Sequence, residues 1–160
     1  MSTITHFINF IYGTNRVVKK FQATHPHEKV IASSAVKAIK STPKTEVDTG
    51  AQWIVSKRTV AILTDKRIKC GDWDIPLETI TSSELIPFSG LISKGQLLNI
   101  STTNNEGFQL GMQLNKDWLN QEPLNLQYVS KKLKTSTFSW VMRGVLIVYV
   151  GYLIYERFVK

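Results

Sequence analysis

The chain has 160 residues, with 20 Lys and Arg against 12 Asp and Glu and a formal net charge of +8. That length holds one domain with appendages, and the composition is that of an ordinary globular protein, which excludes repeat, collagen-like and low-complexity classes. A lone cysteine, Cys70, excludes an intrachain disulfide and a Cys-rich metal site.

The charge is uneven along the chain. Residues 1–27 carry +3, residues 28–128 are neutral, and residues 129–160 carry +5. A nucleic-acid module concentrates its basic residues on the folded body, so no nucleic-acid partner is expected. Basic ends fit an anionic membrane surface, or serve solubility alone.

Taken in order, residues 1–27 open with Ile4, Phe7, Ile8, Ile11 and Tyr12 at helical spacing, continued by Val17, Val18 and Phe21 past Gly13-Thr14-Asn15, where a break is expected. Arg16, Lys19 and Lys20 follow the apolar part, the reverse of a secretory leader. Such an amphipathic helix docks its apolar face on the domain or on the C-terminal helix, or lies in a membrane interface. His25-Pro26-His27 ends it, and both histidines read as loop residues.

Residues 28–122 read as strands. Glu28–Lys40 is a strand, and Ser41–Gly50 a loop. Ala51–Ser56 and Thr59–Leu63 are strands with Lys57-Arg58 between them. Thr64-Asp65-Lys66 is a turn in which the Asp bonds nearby backbone. Arg67–Cys70, Trp73–Pro76 and Thr81–Ile86 follow, then a loop over Pro87–Gly95. Gln96–Thr102 pairs with Gly107–Leu114, where Phe108, Leu110, Met112 and Leu114 alternate with polar or small residues. Asn115 caps a helix over Lys116–Gln121 that turns Trp118 and Leu119 inward. Leu126, Val129 and Leu133 recur at helical spacing, predicting a basic connecting helix over residues 123–137.

Residues 138–158 form the most apolar stretch. Gly144 to Tyr155 carries no charge, and apolar residues lie on every face of the helix it predicts. About 21 residues span roughly 31 Å, the thickness of bilayer hydrocarbon. The expectation is a single transmembrane helix. Arg143 would snorkel, with Lys131, Lys132, Lys134, Trp140, Tyr155 and Arg157 at the interfaces. Gly144 and Gly151, seven apart, would allow close helix packing. The excess of Lys on its N-terminal side predicts a body facing the cytoplasm.

The run Val60-Ala61-Ile62-Leu63-Thr64-Asp65-Lys66-Arg67-Ile68 followed by Trp73-Asp74-Ile75-Pro76-Leu77-Glu78-Thr79-Ile80, and later Gly95-Gln96-Leu97, resembles the GRAM and bacterial pleckstrin-homology (PH)-like domains. The resemblance covers residues 28–121. It implies a PH-like seven-stranded β-barrel capped by a helix, and phosphoinositide binding by basic residues around the first hairpin. The matching positions here are Lys37, Lys40, Lys44, Lys57 and Arg58, with Glu46 and Asp48 in the same loop. Clustered cations neutralise phosphates, and Arg binds them bidentately. Read without the family, these are a solvated hairpin face, and Arg67 pairs with a carboxylate or covers the barrel edge.

No Gly-x-Ser-x-Gly, phosphate loop, His-Glu-x-x-His or dinucleotide fingerprint occurs. The Asp72/Asp74 pair lacks further metal ligands, and Cys70 reads as a small core residue. The sequence therefore points to a non-enzymatic module without a cofactor. It would scaffold or recruit at a membrane, contacting lipid headgroups or a protein partner. The alternatives are a structural subunit of a larger membrane complex, and a soluble homo-oligomer whose C-terminal helices bury one another.

Overall fold

A computed structural model describes residues 8–42, 56–89 and 94–129 and, towards the C-terminus, residues 144, 145, 147–149, 152 and 154–156. A helical turn over residues 8–11 leads into helix α1 (Thr14–Thr24). Seven strands follow as β1 (Val30–Ser41), β2 (Lys57–Thr64), β3 (Arg67–Cys70), β4 (Trp73–Pro76), β5 (Ile80–Ser89), β6 (Lys94–Thr102) and β7 (Gly107–Gln113). The one-turn helix α2 (Lys116–Leu119) and a short strand β8 (Leu126–Tyr128) come last.

The strands form one curled sheet in the order β4-β3-β2-β1-β7-β6-β5-β8. Two antiparallel meanders, β1 to β4 and β5 to β7, meet where β1 pairs with β7. The twelve-residue β1 belongs to both, pairing Val30–Ala38 with β2 and Val36–Ser41 with β7. The β3–β4 connection is Gly71-Asp72 with Gly71 at φ +59°, and a positive φ at the first of two loop residues follows the twist of a hairpin. At the β2–β3 turn the Thr64 hydroxyl accepts the backbone N–H groups of Lys66 and Arg67 at 3.1 and 3.0 Å.

The period of two sorts the side chains onto two faces. Val36, Ala38, Leu63, Ile68, Leu98 and Leu110 are among those turned to the inner face, where they build the main core. Trp118 of α2 packs into it, 1% exposed. Asn115 holds α2 in place. Its Oδ1 accepts the Asp117 N–H at 3.0 Å, and its Nδ2 donates to the Ser33 carbonyl and the Ser34 hydroxyl. The helix cap therefore also joins α2 to β1. On the outer face Val60 and Ile62 meet Phe21 of α1 in a second, smaller cluster.

Three expectations are corrected. The seven-stranded barrel is instead an eight-stranded open sheet, because β4 and β8 occupy opposite ends of the strand order and do not pair. The eighth strand is Leu126–Tyr128, which lies parallel to β5 at Ser83–Leu85 where helical spacing predicted a helix. Among the described residues, no helix is long and apolar enough to cross a membrane. The transmembrane helix, the single-pass anchor and the cytoplasm-facing orientation that rested on it are withdrawn.

Smaller differences have local causes. Lys57 and Arg58, placed between two strands, begin β2 opposite Ala38 and Lys37. The predicted strand Ala51–Ser56 lies outside the described residues apart from Ser56. Strand β5 runs through Pro87 to Ser89. The Leu85 carbonyl accepts from Val129, so Leu85 turns its polar groups toward β8, and Pro87, two residues on, turns its missing N–H to the same edge beyond the end of β8.

Candidate functional site

Helix α1 lies against the outer face of the first meander, and its approach is fixed at two points. Phe21 is 7% exposed against Val60 and Ile62. Near the other end, Asn9 Oδ1 accepts the Ala35 N–H at 3.1 Å. Between them Gly13 has φ +59°, so the chain turns between the first helical turn and α1, at the break the sequence led one to expect. His25 stacks on Phe21 with ring centroids 4.5 Å apart, and Thr24 and Phe21 O lie within hydrogen-bond reach of its Nδ1.

This packing leaves a groove of about 440 Å³ between α1 and the β2–β3 hairpin. Phe21, Val60 and Ile62 give it an apolar floor. Lys20 from α1, Arg58 from β2 and Lys69 from β3 line it with positive charge. Lys69 is directly opposite Ile62 across β2–β3, and Arg58 lies two residues before Val60 on the same face. Among the described residues Lys20 and Arg58 form no ion pair, and Lys69 reaches Asp74 only at 3.7 Å. Asp74 is held more closely by Arg67, at 3.0 Å.

The hairpin cations named from the sequence are dispersed. Arg58 lies in the groove, and Lys37 is its direct partner across β1–β2. Lys57 is paired with Asp72, whose carboxyl is held below its ordinary value by the hydrogen bond from Lys57. Lys40 sits on Glu106 at 2.7 Å with its ammonium 5.5 Å from the Phe108 ring centroid. Lys44 lies outside the described residues. So do Lys131, Lys132, Lys134, Trp140, Arg143, Gly151 and Arg157. Gly144 and Tyr155 are helical and exposed, and a Cβ added at Gly144 would meet nothing within 4 Å.

Lys20 and Lys69 are the groove residues that the sequence did not single out. They are far apart along the chain, and only the docking of Phe21 brings them together. The available signal was the alternation of Lys69 between the inward residues Ile68 and Cys70, which turns it to the face that α1 covers.

Beside the groove, Glu28 anchors a second charged group. Its carboxylate, 5% exposed, accepts from Arg67 Nη2 at 2.8 Å and from the Thr64 hydroxyl at 3.1 Å. Arg67 Nη1 donates to Asp74 at 3.0 Å. The Asp74 hydrogen bond, with both carboxylates adding attraction, holds Arg67 above its already high value. Arg67 pairs with carboxylates, one of the two roles the sequence led one to expect. Asp65 bonds instead to Lys29, with backbone Asp65 N–H to Lys29 O at 3.2 Å and Lys29 N–H to Asp65 Oδ1 at 3.0 Å. That exchange ties the β2–β3 turn to the entry of β1.

Cys70 is fully buried in the inner core, and burial pushes its thiol up to about 12. Among the described residues no group of three His, Cys, Asp or Glu is placed to hold a metal ion. No family model matches the chain, and no curated protein matches it either.

Proposed function

We propose that the chain is a non-enzymatic recruitment module of PH-like architecture that engages a phosphorylated headgroup through the groove between α1 and the β2–β3 hairpin. The observation that carries this reading is the convergence of Lys20, Arg58 and Lys69, from three separate elements, above an apolar floor. Three cations within one groove neutralise a multiply charged phosphate, and the low-dielectric floor strengthens each contact. The order of the two meanders around a long shared β1, closed by α2, supports the PH-like part. The added β8 and the single turn of α2 depart from that pattern.

Titration of the full chain with inositol 1,4,5-trisphosphate, followed by calorimetry at low and high salt, tests the reading. Binding is expected to weaken with salt, and Arg58→Glu and Lys69→Glu are each expected to weaken it by about tenfold or more. Wild-type binding no tighter than to uncharged inositol would overturn it.

A second reading, a structural subunit of a larger complex, is favoured by one observation. Ile147 and Val148 of the C-terminal helical residues are 71% and 73% exposed. Exposed apolar surface of this kind marks interaction sites. Stoichiometric co-purification of a second protein, lost on substituting these two residues with Asn, is the outcome that supports it.

A further inference from the structure

The outer face holds a second cavity on the other side of Tyr12. It measures about 220 Å³; Ile8, Tyr12, Ala35 and Phe88 give it apolar surface, and Lys37 and Gln113 line it as well. Gly111 forms part of its wall. Gly111 lies opposite Lys37 in the β1–β7 register, so no Cβ fills the space next to the lysine. Phe88 leans over Gly95 instead, where an added Cβ would run into the ring.

The cavity and the cationic groove are neighbours. Tyr12 lines both. Lys37 of the cavity and Arg58 of the groove are direct partners across β1–β2, about 5 Å apart at their Cα atoms. Alone, the cavity is smaller than the roughly 300–1,000 Å³ of ordinary ligand pockets, and Lys37 and Gln113 are the polar side chains beside Tyr12 in its mostly apolar wall. Its dimensions and lining suit a short alkyl segment. Lys37 and Arg58 at the junction call for an anionic group where the segment emerges.

We propose that groove and cavity together bind one anionic amphiphile with a single alkyl chain. Its phosphate lies on Lys20, Arg58 and Lys69, and the first part of its chain passes Tyr12 to rest against Ile8 and Phe88. This inference rests on the phosphate-binding reading of the groove and adds the chain to it.

The test is a series of butyl, hexyl and octyl phosphates, each below its micellar concentration, titrated into the full chain by calorimetry. Each methylene removed from water is expected to tighten binding about fourfold until the cavity is filled, after which affinity levels off. Gly111→Leu is expected to flatten the series and leave inositol 1,4,5-trisphosphate binding unchanged. In the wild type, octyl phosphate is expected to shift the methyl resonances of Ile8 and Ala35 and leave that of Ile147 in place, a readout that stands even where the variant does not fold. A flat wild-type series with inositol trisphosphate still bound overturns the alkyl site and leaves the groove standing. Loss of phosphate binding of every kind overturns both. Chain-length dependence that shifts Ile147 and not Ile8 assigns the chain to the C-terminal helical residues and overturns the proposal.

Discussion

Arg67 shows how one side chain ties local turn chemistry to the rest of the fold. It begins β3, directly after the Thr64-Asp65-Lys66 turn, and reaches back to Glu28 before β1 and across to Asp74 on β4. Glu28 is buried and Arg67 is about one-third exposed, so removing the guanidinium strands a carboxylate away from water. Arg67→Ala is expected to lower unfolding free energy by about 3 kcal/mol in urea titrations. Arg67→Lys is expected to recover only part of that, since an ammonium cannot fork between two carboxylates. Asp72→Asn, which breaks the solvent-exposed pair with Lys57, is expected to leave the urea midpoint unchanged. Cys70 gives a second test at the same scale. Its folded thiol titrates near 12 against an ordinary 9.0, so above pH 9 the unfolded chain loses its proton first. The unfolded state then binds fewer protons, and stability falls as pH rises from about 9 toward 12. Cys70→Ala is expected to flatten that alkaline decline, read from urea midpoints at pH 8, 9.5 and 11. A carboxylate partner for Arg67 was one of two roles the sequence left open, the other being to cover the sheet edge, and the nearness of Glu28 and Asp74 decides between them. The partner of Asp65 was not, since Lys29 comes near only once β1 lies beside β2.

Among the elements, legibility followed length and period. β7 alternates cleanly over Gly107–Gln113, and both its existence and its inward face could be read from Phe108, Leu110 and Met112. β8 could not, because three residues are too few to show a period. Leu126 and Val129 also carry a helical spacing that pairing with β5 overrides. The apolar run from Gly144 misled for a different reason. Being apolar on every face identifies a helix that shuns water, but among the described residues no helix is long and apolar enough to cross a membrane. The groove was half legible. Arg58 could be named through the family resemblance, whereas Lys20 and Lys69 depend on how α1 docks. Turns give the sharpest test at this scale. Gly71 and Gly13 share φ +59°, yet a Cβ at Gly71 would approach Thr59 Oγ1 to 2.9 Å and one at Gly13 would meet nothing within 4 Å. Gly13→Ala is therefore expected to cost about 1 kcal/mol from backbone strain alone, and Gly71→Ala more, about 2 kcal/mol. Parallel thermal melts of the two variants check the difference.

Over the whole molecule, the sheet is unequal in its support. β1 is hydrogen-bonded on both sides along its middle, while β8 holds β5 through three residues. Amide exchange should reflect this. Val36 and Ala38 are expected to exchange only through global unfolding, and Leu126–Tyr128 through a local opening several kcal/mol lower, checked by native-state hydrogen exchange at increasing denaturant. A single merged isotherm for both sets of amides contradicts this picture.

The strand order carries a further consequence for how the chain is made. β1 leaves the ribosome early and finds β2 at once, but its other neighbour, β7, is completed only at Gln113. Throughout the synthesis of β5 and β6 the nascent protein therefore carries a long central strand with one side bare, a template for a stray chain. Translation that stalls in this interval is the moment at which this protein most needs a chaperone.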